Sequence, residues 1–203
     1  MYTGLVGKLG SIRKIEAVAE GLRIDFEAAH FVKTLAKGDL VLHSGFSLPV
    51  FNVREGLDYS MRWSALATAP FAKAHIAAAW RHGQLVNLER PTEFSDELGG
   101  NFVFGEPSRT LIAGESTTAE DRRMVRFTAE EPLTDCLGLN GAMAVDGIAL
   151  TCHKLIDDRT IDVVLSGLTL RCTTLATLTP GQRLAMEADL LHSTRIAPAW
   201  PGG

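Results

Sequence analysis

The chain has 203 residues, 46% hydrophobic and 22% charged, with 20 Lys and Arg against 24 Asp and Glu for a formal net charge of -4. That balance describes a globular protein with enough chain for one large core or two small ones, and it lacks the basic stripe that a nucleic-acid partner requires. The longest apolar stretches, 65–72 and 76–80, are interrupted by Pro70, Lys73 and His75, far short of the roughly 20 residues of a membrane helix. The first eight residues lack the basic and apolar segments of a signal peptide, so the expected location is the cytoplasm with no membrane partner.

Short β-like runs open the chain at 10–17, 21–27, 39–43 and 57–61, each bounded by Gly, Asp or charged turn residues. The alanine-rich stretch 66–81 predicts one helical insert that starts near Pro70, since proline suits a first helical turn. A further strand is predicted at 84–89, and Leu98-Gly99-Gly100 forms a joint. Gly99-Gly100 is a linker turn and no phosphate loop, because no lysine or helix signature follows it.

The second half repeats the first. Placing Gly45 over Gly147, an offset of 102, aligns the apolar positions of 39–50 with those of 141–152. An offset of 98 lays Gly83-Gln84-Leu85-Val86-Asn87-Leu88-Glu89 over Gly181-Gln182-Arg183-Leu184-Ala185-Met186-Glu187, and one of 101 lays Arg23-Ile24-Asp25-Phe26 over Met124-Val125-Arg126-Phe127. Short strands at close spacing, duplicated in register, predict two homologous β-barrels. The expected boundaries are 1–98, 99–188 and a tail at 189–203, with 173–179 the shorter counterpart of the helical insert.

Cys136, Cys152 and Cys172 are odd in number and lack the CxxC spacing of a zinc site, which predicts small buried hydrophobes in a reducing compartment. Among the six histidines no pair at i, i+4 has a carboxylate nearby, so no metal is expected. His43 adjoins the Gly45 loop and is the one histidine placed to act as an acid or base. Arg122, Arg123 and Arg126 read as a solvated strand edge.

In order and duplication, several segments resemble the riboflavin synthase alpha-chain family, which includes the non-catalytic lumazine proteins. They are Met1-Tyr2-Thr3-Gly4-Leu5-Val6, Val86-Asn87-Leu88-Glu89-Arg90, Leu98-Gly99-Gly100-Asn101-Phe102-Val103-Phe104-Gly105, Val145-Asp146-Gly147-Ile148-Ala149-Leu150-Thr151, and Leu168-Thr169-Leu170 followed by Thr173-Thr174-Leu175. The resemblance implies an all-β fold of two six-stranded antiparallel Greek-key barrels with a short carboxy-terminal helical segment, each barrel holding one pteridine-like ligand. Family enzymes convert two molecules of 6,7-dimethyl-8-ribityllumazine into riboflavin and a pyrimidinedione, with neither metal nor cofactor. That transfer needs two stacked rings, a group that attacks or deprotonates at C7 and one that takes the C7-methyl proton. In the family the reacting pair lies between barrels of different subunits in a trimer.

The departures from the family pattern fall at its site. Ser47, in Ser44-Gly45-Phe46-Ser47-Leu48-Pro49-Val50, stands where the resemblance implies a functional cysteine, and Pro49 replaces a threonine and removes a backbone donor. Glu106 stands at the position of a catalytic histidine and could serve as a base if desolvated. Ala149 replaces a serine. Gly147, Ile148, Thr151 and Thr169 keep the polar pattern in the second barrel, whereas Ala65 is read as the first-barrel counterpart of Thr169. Phe46 and Trp63 are aromatic gains that either stack on a flat ring or plug the first barrel. The tail, with Pro198, Pro201 and a Gly-Gly end, leaves room for barely two helical turns after Asp189, which argues for a monomer or weak oligomer. The expectation is thus a protein that binds lumazine, riboflavin, FMN or a related heterocycle and has lost the dismutation. The alternative is an enzyme that uses Glu106, Ser47 or His43.

Overall fold

The computed structural model describes residues 1–29, 35–56, 59–93 and 99–189. Its first barrel is built from β1 (Lys8–Val18), β2 (Gly21–Ala29), β3 (Leu40–His43), β4 (Phe46–Glu55), β5 (Ser60–Ala67) and β6 (Leu85–Glu89), closed in the order β1-β2-β5-β4-β3-β6. The second comprises β7 (Arg109–Ala119), β8 (Arg122–Ala129), β9 (Ala142–Val145), β10 (Ile148–Leu155), β11 (Thr160–Leu165) and β12 (Arg183–Ala188), closed in the equivalent order. All pairings are antiparallel. Closure pairs every strand on both sides and removes the exposed edges.

Alternation sets the cores. In β2, Ile24, Phe26 and Ala28 point inward and Arg23, Asp25 and Glu27 outward; β8 repeats this with Val125 and Phe127 inside. Ile12, Ile24, Phe26, Val41, Trp63 and Leu88 fill the first barrel, and Leu111, Val125, Phe127, Met143, Val163 and Leu184 the second. Helix α1 (Pro70–Ala79) follows β5 and begins at Pro70, as the sequence predicts. It buries Ala72 and Ile76 in the first core beside Trp80 and Ala185 of β12. In the second copy the helical segment begins earlier than 173: α2 (Gly167–Cys172) follows β11, with Ser166 capping Thr169 N, and a 3₁₀ turn spans Thr174–Thr177. The serine cap supplies the acceptor that the first turn of α2 needs.

The barrels meet at two hairpin tips. Ser44-Gly45 (φ 40° and 92°) and Asp146-Gly147 (φ 47° and 74°) are two-residue turns with both centres left-handed, the type I′ geometry that fits strand twist. The tips abut so closely that a Cβ on Gly147 would lie 2.9 Å from Gly45 N. Leu42, Tyr2, Val103 and Ala144 form a small apolar cluster of their own, and Tyr2 bridges to Val103. Cys152 is buried and Cys136 half-buried, but Cys172 is exposed at the end of α2, contrary to the expectation of three buried thiols. The carboxy-terminal helical segment expected at 190–203 lies outside the described residues, as do parts of the predicted 57–61 strand. Among the described residues no helix is long and apolar enough to cross a membrane.

Candidate functional site

Each barrel carries a cavity on the outer face of its second hairpin, beside the helical segment. The second-barrel cavity, about 300 Å3, is bounded by Ala149, Thr151 and His153 of β10, Val164 of β11, Asn140, Ser166 and Thr169. Ala149, Thr151 and His153 alternate along β10 and so share one face. Ser166 Oγ lies 3.0 Å from Thr169 Oγ1 while accepting Thr169 N, so cap and site are one arrangement. The pocket wall thus combines the hydroxyls of Thr151, Ser166 and Thr169, the Asn140 amide and the His153 imidazole with apolar Ala149 and Val164.

The first-barrel cavity, about 380 Å3, is bounded by Phe46, Ser47 and Pro49 of β4, by Leu66, Thr68 and Phe71, and by Gly105, Glu106 and Pro107 of the linker. The structure therefore brings Ser47 and Glu106, far apart in sequence, to one cavity. Ser47 N donates to Gly105 O at 2.9 Å, and Ser47 Oγ lies 2.7 Å from the buried Tyr2 hydroxyl, whose pKa burial raises. Gly105 sits at φ 81°, and a Cβ there would fall 2.5 Å from Ser47 Cβ, so only glycine lets the linker come this near. Glu187 of β12 holds the linker in place by accepting the backbone N–H groups of Phe104, Gly105 and Glu106 at 2.7, 3.0 and 3.0 Å. Burial raises the Glu187 carboxyl pKa against these hydrogen bonds.

The second barrel has the same device. Glu89 of β6 accepts from Thr3 N, Thr3 Oγ1 and Gly4 N, and Gly4 O accepts from Ala149 N. Each pocket strand is therefore flanked by the segment that precedes the other barrel: the amino terminus lies on β10 and the linker on β4. Ser47 and Ala149 are equivalent positions, as the offset of 102 predicts.

Four expected residues lie elsewhere. His43 is wholly buried inside the first barrel, accepts Trp63 Nε1–H at 2.9 Å and stacks on Phe26 at 4.3 Å; burial pushes its imidazole down to about 3. It is a neutral core acceptor that borders neither cavity, because β3 points it inward. Trp63 fills the barrel interior and does not face the ring cavity. Gly147 and Ile148 sit buried at the hairpin tip, where Gly147 packs on Gly45. Ala65 is not the counterpart of Thr169: it is buried on β5 between Ile24 and Val50, and the start of α1, with Phe71 and Ala72, occupies that place. The sequence reading missed Asn140, His153 and Ser166; the two-residue alternation from Ala149 through Thr151 was the signal for His153.

Asp189 accepts Phe102 N at 2.8 Å and so anchors the linker. Arg122 and Arg126 are exposed as expected, but β8 is no edge, since it pairs with β7 and β11; Arg126 forms a bidentate pair with Asp162 at 2.8 and 3.0 Å, while Arg123 reaches Ser116 and Leu178 O. Among the described residues no group of three His, Cys, Asp or Glu could hold a metal ion.

Comparison with known proteins agrees with the two-barrel fold. The family model "Lumazine binding domain" matches residues 110–189, the second barrel. The chain is 28% identical to the riboflavin synthase of Brucella abortus (strain 2308), over 97% of this chain and 98% of that one. It is 29% identical to the riboflavin synthase of Chlamydia pneumoniae, over 97% and 92%. Among solved structures it shares its fold with LumP complexed with 6,7-dimethyl-8-(1'-D-ribityl) lumazine, with a TM-score of 0.77, 22% identity, and coverage of 92% of this chain and 98% of that one. A LumP complex with riboflavin gives a TM-score of 0.75 at 22% identity, covering 93% and 99%.

Proposed function

The chain belongs to the riboflavin synthase alpha-chain and lumazine protein family, and on that premise we propose that it binds a lumazine, flavin or related flat heterocycle without dismutating it. The observation that carries this reading is the asymmetry of the two cavities. The second-barrel wall offers Thr151, Ser166, Thr169 and Asn140, whose donors and acceptors suit the carbonyls and ring nitrogens of a pteridine. The first-barrel wall offers Pro49, which has no N–H, and the rings of Phe46 and Phe71. A transfer needs both rings held firmly in register, and the first-barrel wall offers fewer polar groups with which to hold one of them. The protein acts as a monomer or weak oligomer, so that the intersubunit site of the family enzymes is not formed.

The experiment mixes the protein with 6,7-dimethyl-8-ribityllumazine and follows absorbance and fluorescence for hours, with riboflavin titrated in parallel. Saturable change without riboflavin formation is expected, weakened about tenfold by Thr151→Val through the loss of one hydrogen bond. Riboflavin appearing in proportion to protein would overturn the binding reading. One observation favours that second reading, namely that Ser47 and Glu106 border the same cavity. On it, Glu106→Gln abolishes turnover while leaving the fold intact.

A further inference from the structure

A third cavity, about 600 Å3 and larger than either ring pocket, lies on the outer face of the first barrel across β1, β2, β5 and β4. Arg13, Lys14, Arg23, Arg54 and Arg62 border it, against the single carboxylate of Asp25. Much of this charge is spent within the face: Arg23 pairs with Asp25, Lys14 with Glu16, and Arg13 and Arg62 with Glu27. Arg54 makes no ion pair among the described residues. It stands directly opposite Arg62 in the β4–β5 register, next to the bulge between Phe51 and Arg54 where Asn52 adopts φ 52°. Like charges directly opposite across strands destabilise a sheet, and a bulge re-aims side chains at a cost in pairing.

The duplication supplies an internal control. Under the offset of 101, Lys14 corresponds to Glu115, Arg23 to Met124 and Asp25 to Arg126. In the second barrel the same place is closed by the Arg126–Asp162 pair and retains a space of only about 70 Å3. The same four strands thus carry a paired, filled face in one copy and an open, cationic, partly unpaired face in the other. Barrel closure requires neither the charge nor the space.

We propose that this face of the first barrel is a binding site for a small phosphorylated molecule, a phosphomonoester or diphosphate of about mononucleotide size. The volume falls within the range of ligand pockets. Guanidinium groups match phosphate oxygens two at a time, and among the described residues none forms an ion pair with Arg54. The cations come from four strands around one concavity and do not extend as a stripe, which selects a compact anion over a polymer. The site is independent of the ring pockets, since it shares no residue with them.

Inorganic pyrophosphate is the probe, titrated calorimetrically at constant ionic strength with riboflavin titrated separately. Saturable binding is expected, weakened about tenfold or more by Arg54→Ala and by Lys14→Glu, which installs the charge found at Glu115. Arg122→Ala, at an exposed arginine of the second barrel, leaves it unchanged, and circular dichroism shows that all three variants fold. Absence of saturable binding, or an affinity that Arg54→Ala leaves intact, or equal loss in Arg122→Ala, overturns the proposal. Failure with pyrophosphate while riboflavin still binds sinks this site alone, and the reverse pattern sinks the ring-pocket reading alone.

Discussion

Asp146 shows how one residue serves a turn and carries a charge it does not need. Its Oδ1 accepts Ala185 N at 2.7 Å, and burial pushes its carboxyl pKa up to about 7. Ser44, at the matching turn, does the same work without a charge by accepting Asn87 N at 3.1 Å. Below about pH 4 the folded and unfolded chains both hold the Asp146 proton, and between about pH 4 and 7 only the folded chain does. Each pH unit in that window therefore removes about 1.4 kcal/mol of stability, and the contribution is gone above the folded pKa. Asn keeps the acceptor and tolerates left-handed φ. Asp146→Asn is therefore expected to gain on the wild type by about 1.4 kcal/mol per pH unit between pH 5 and 7. His43 and His75, whose pKa values burial lowers, work in the opposite direction but cancel in this difference. Urea unfolding at pH 5 and pH 8 checks it, and equal differences at the two pH values would contradict it.

At the scale of elements, the pockets depend on two extended segments that belong to neither barrel. Glu187 gathers three backbone N–H groups of the linker beside its Ser47–Gly105 and Asp189–Phe102 bonds, and Glu89 does the same for the amino terminus on β10. Replacing Glu187 by Ala leaves two exposed donors to water and the Gly105 N–H, whose bond is half-buried, without its acceptor, at a cost of about 1–2 kcal/mol. The loss should appear in denaturant unfolding together with weakened binding at the first-barrel cavity, since Glu106 would no longer be held. Glu187→Gln, which keeps one acceptor oxygen, should lose less. An Ala variant as stable as wild type would show that the Ser47–Gly105 and Asp189–Phe102 bonds order the linker without Glu187.

At the scale of the molecule, Asn87 joins the barrels. Its Nδ2 donates to Asp146 O at 3.0 Å and Thr174 Oγ1 at 2.9 Å, while its Oδ1 accepts Thr174 N at 3.0 Å, all with the residue 2% exposed. Asn87→Ala strands buried partners on the second barrel and is expected to cost about 2–3 kcal/mol. It should also convert one calorimetric transition into two, as each barrel then melts on its own core. A single transition at unchanged temperature would show that the abutting turns at Gly45 and Gly147 suffice.

The sequence by itself determined the duplication, the two barrels and the start of α1 at Pro70, because alternation, turn glycines and proline act over a few residues and leave a local imprint. It also placed Ser47, Ala149, Thr151 and Thr169 in pocket-bearing segments through the family resemblance. Only the tertiary structure decided which side chains meet: it set Glu106 beside Ser47, turned His43 and Trp63 into the core, and gathered Arg13, Arg23, Arg54 and Arg62 on one face. Those outcomes depend on strand order, bulges and the crossing of the linker onto the first barrel. Such pairings between distant residues are fixed by closure of the barrels as a whole, and no short stretch of chain encodes them.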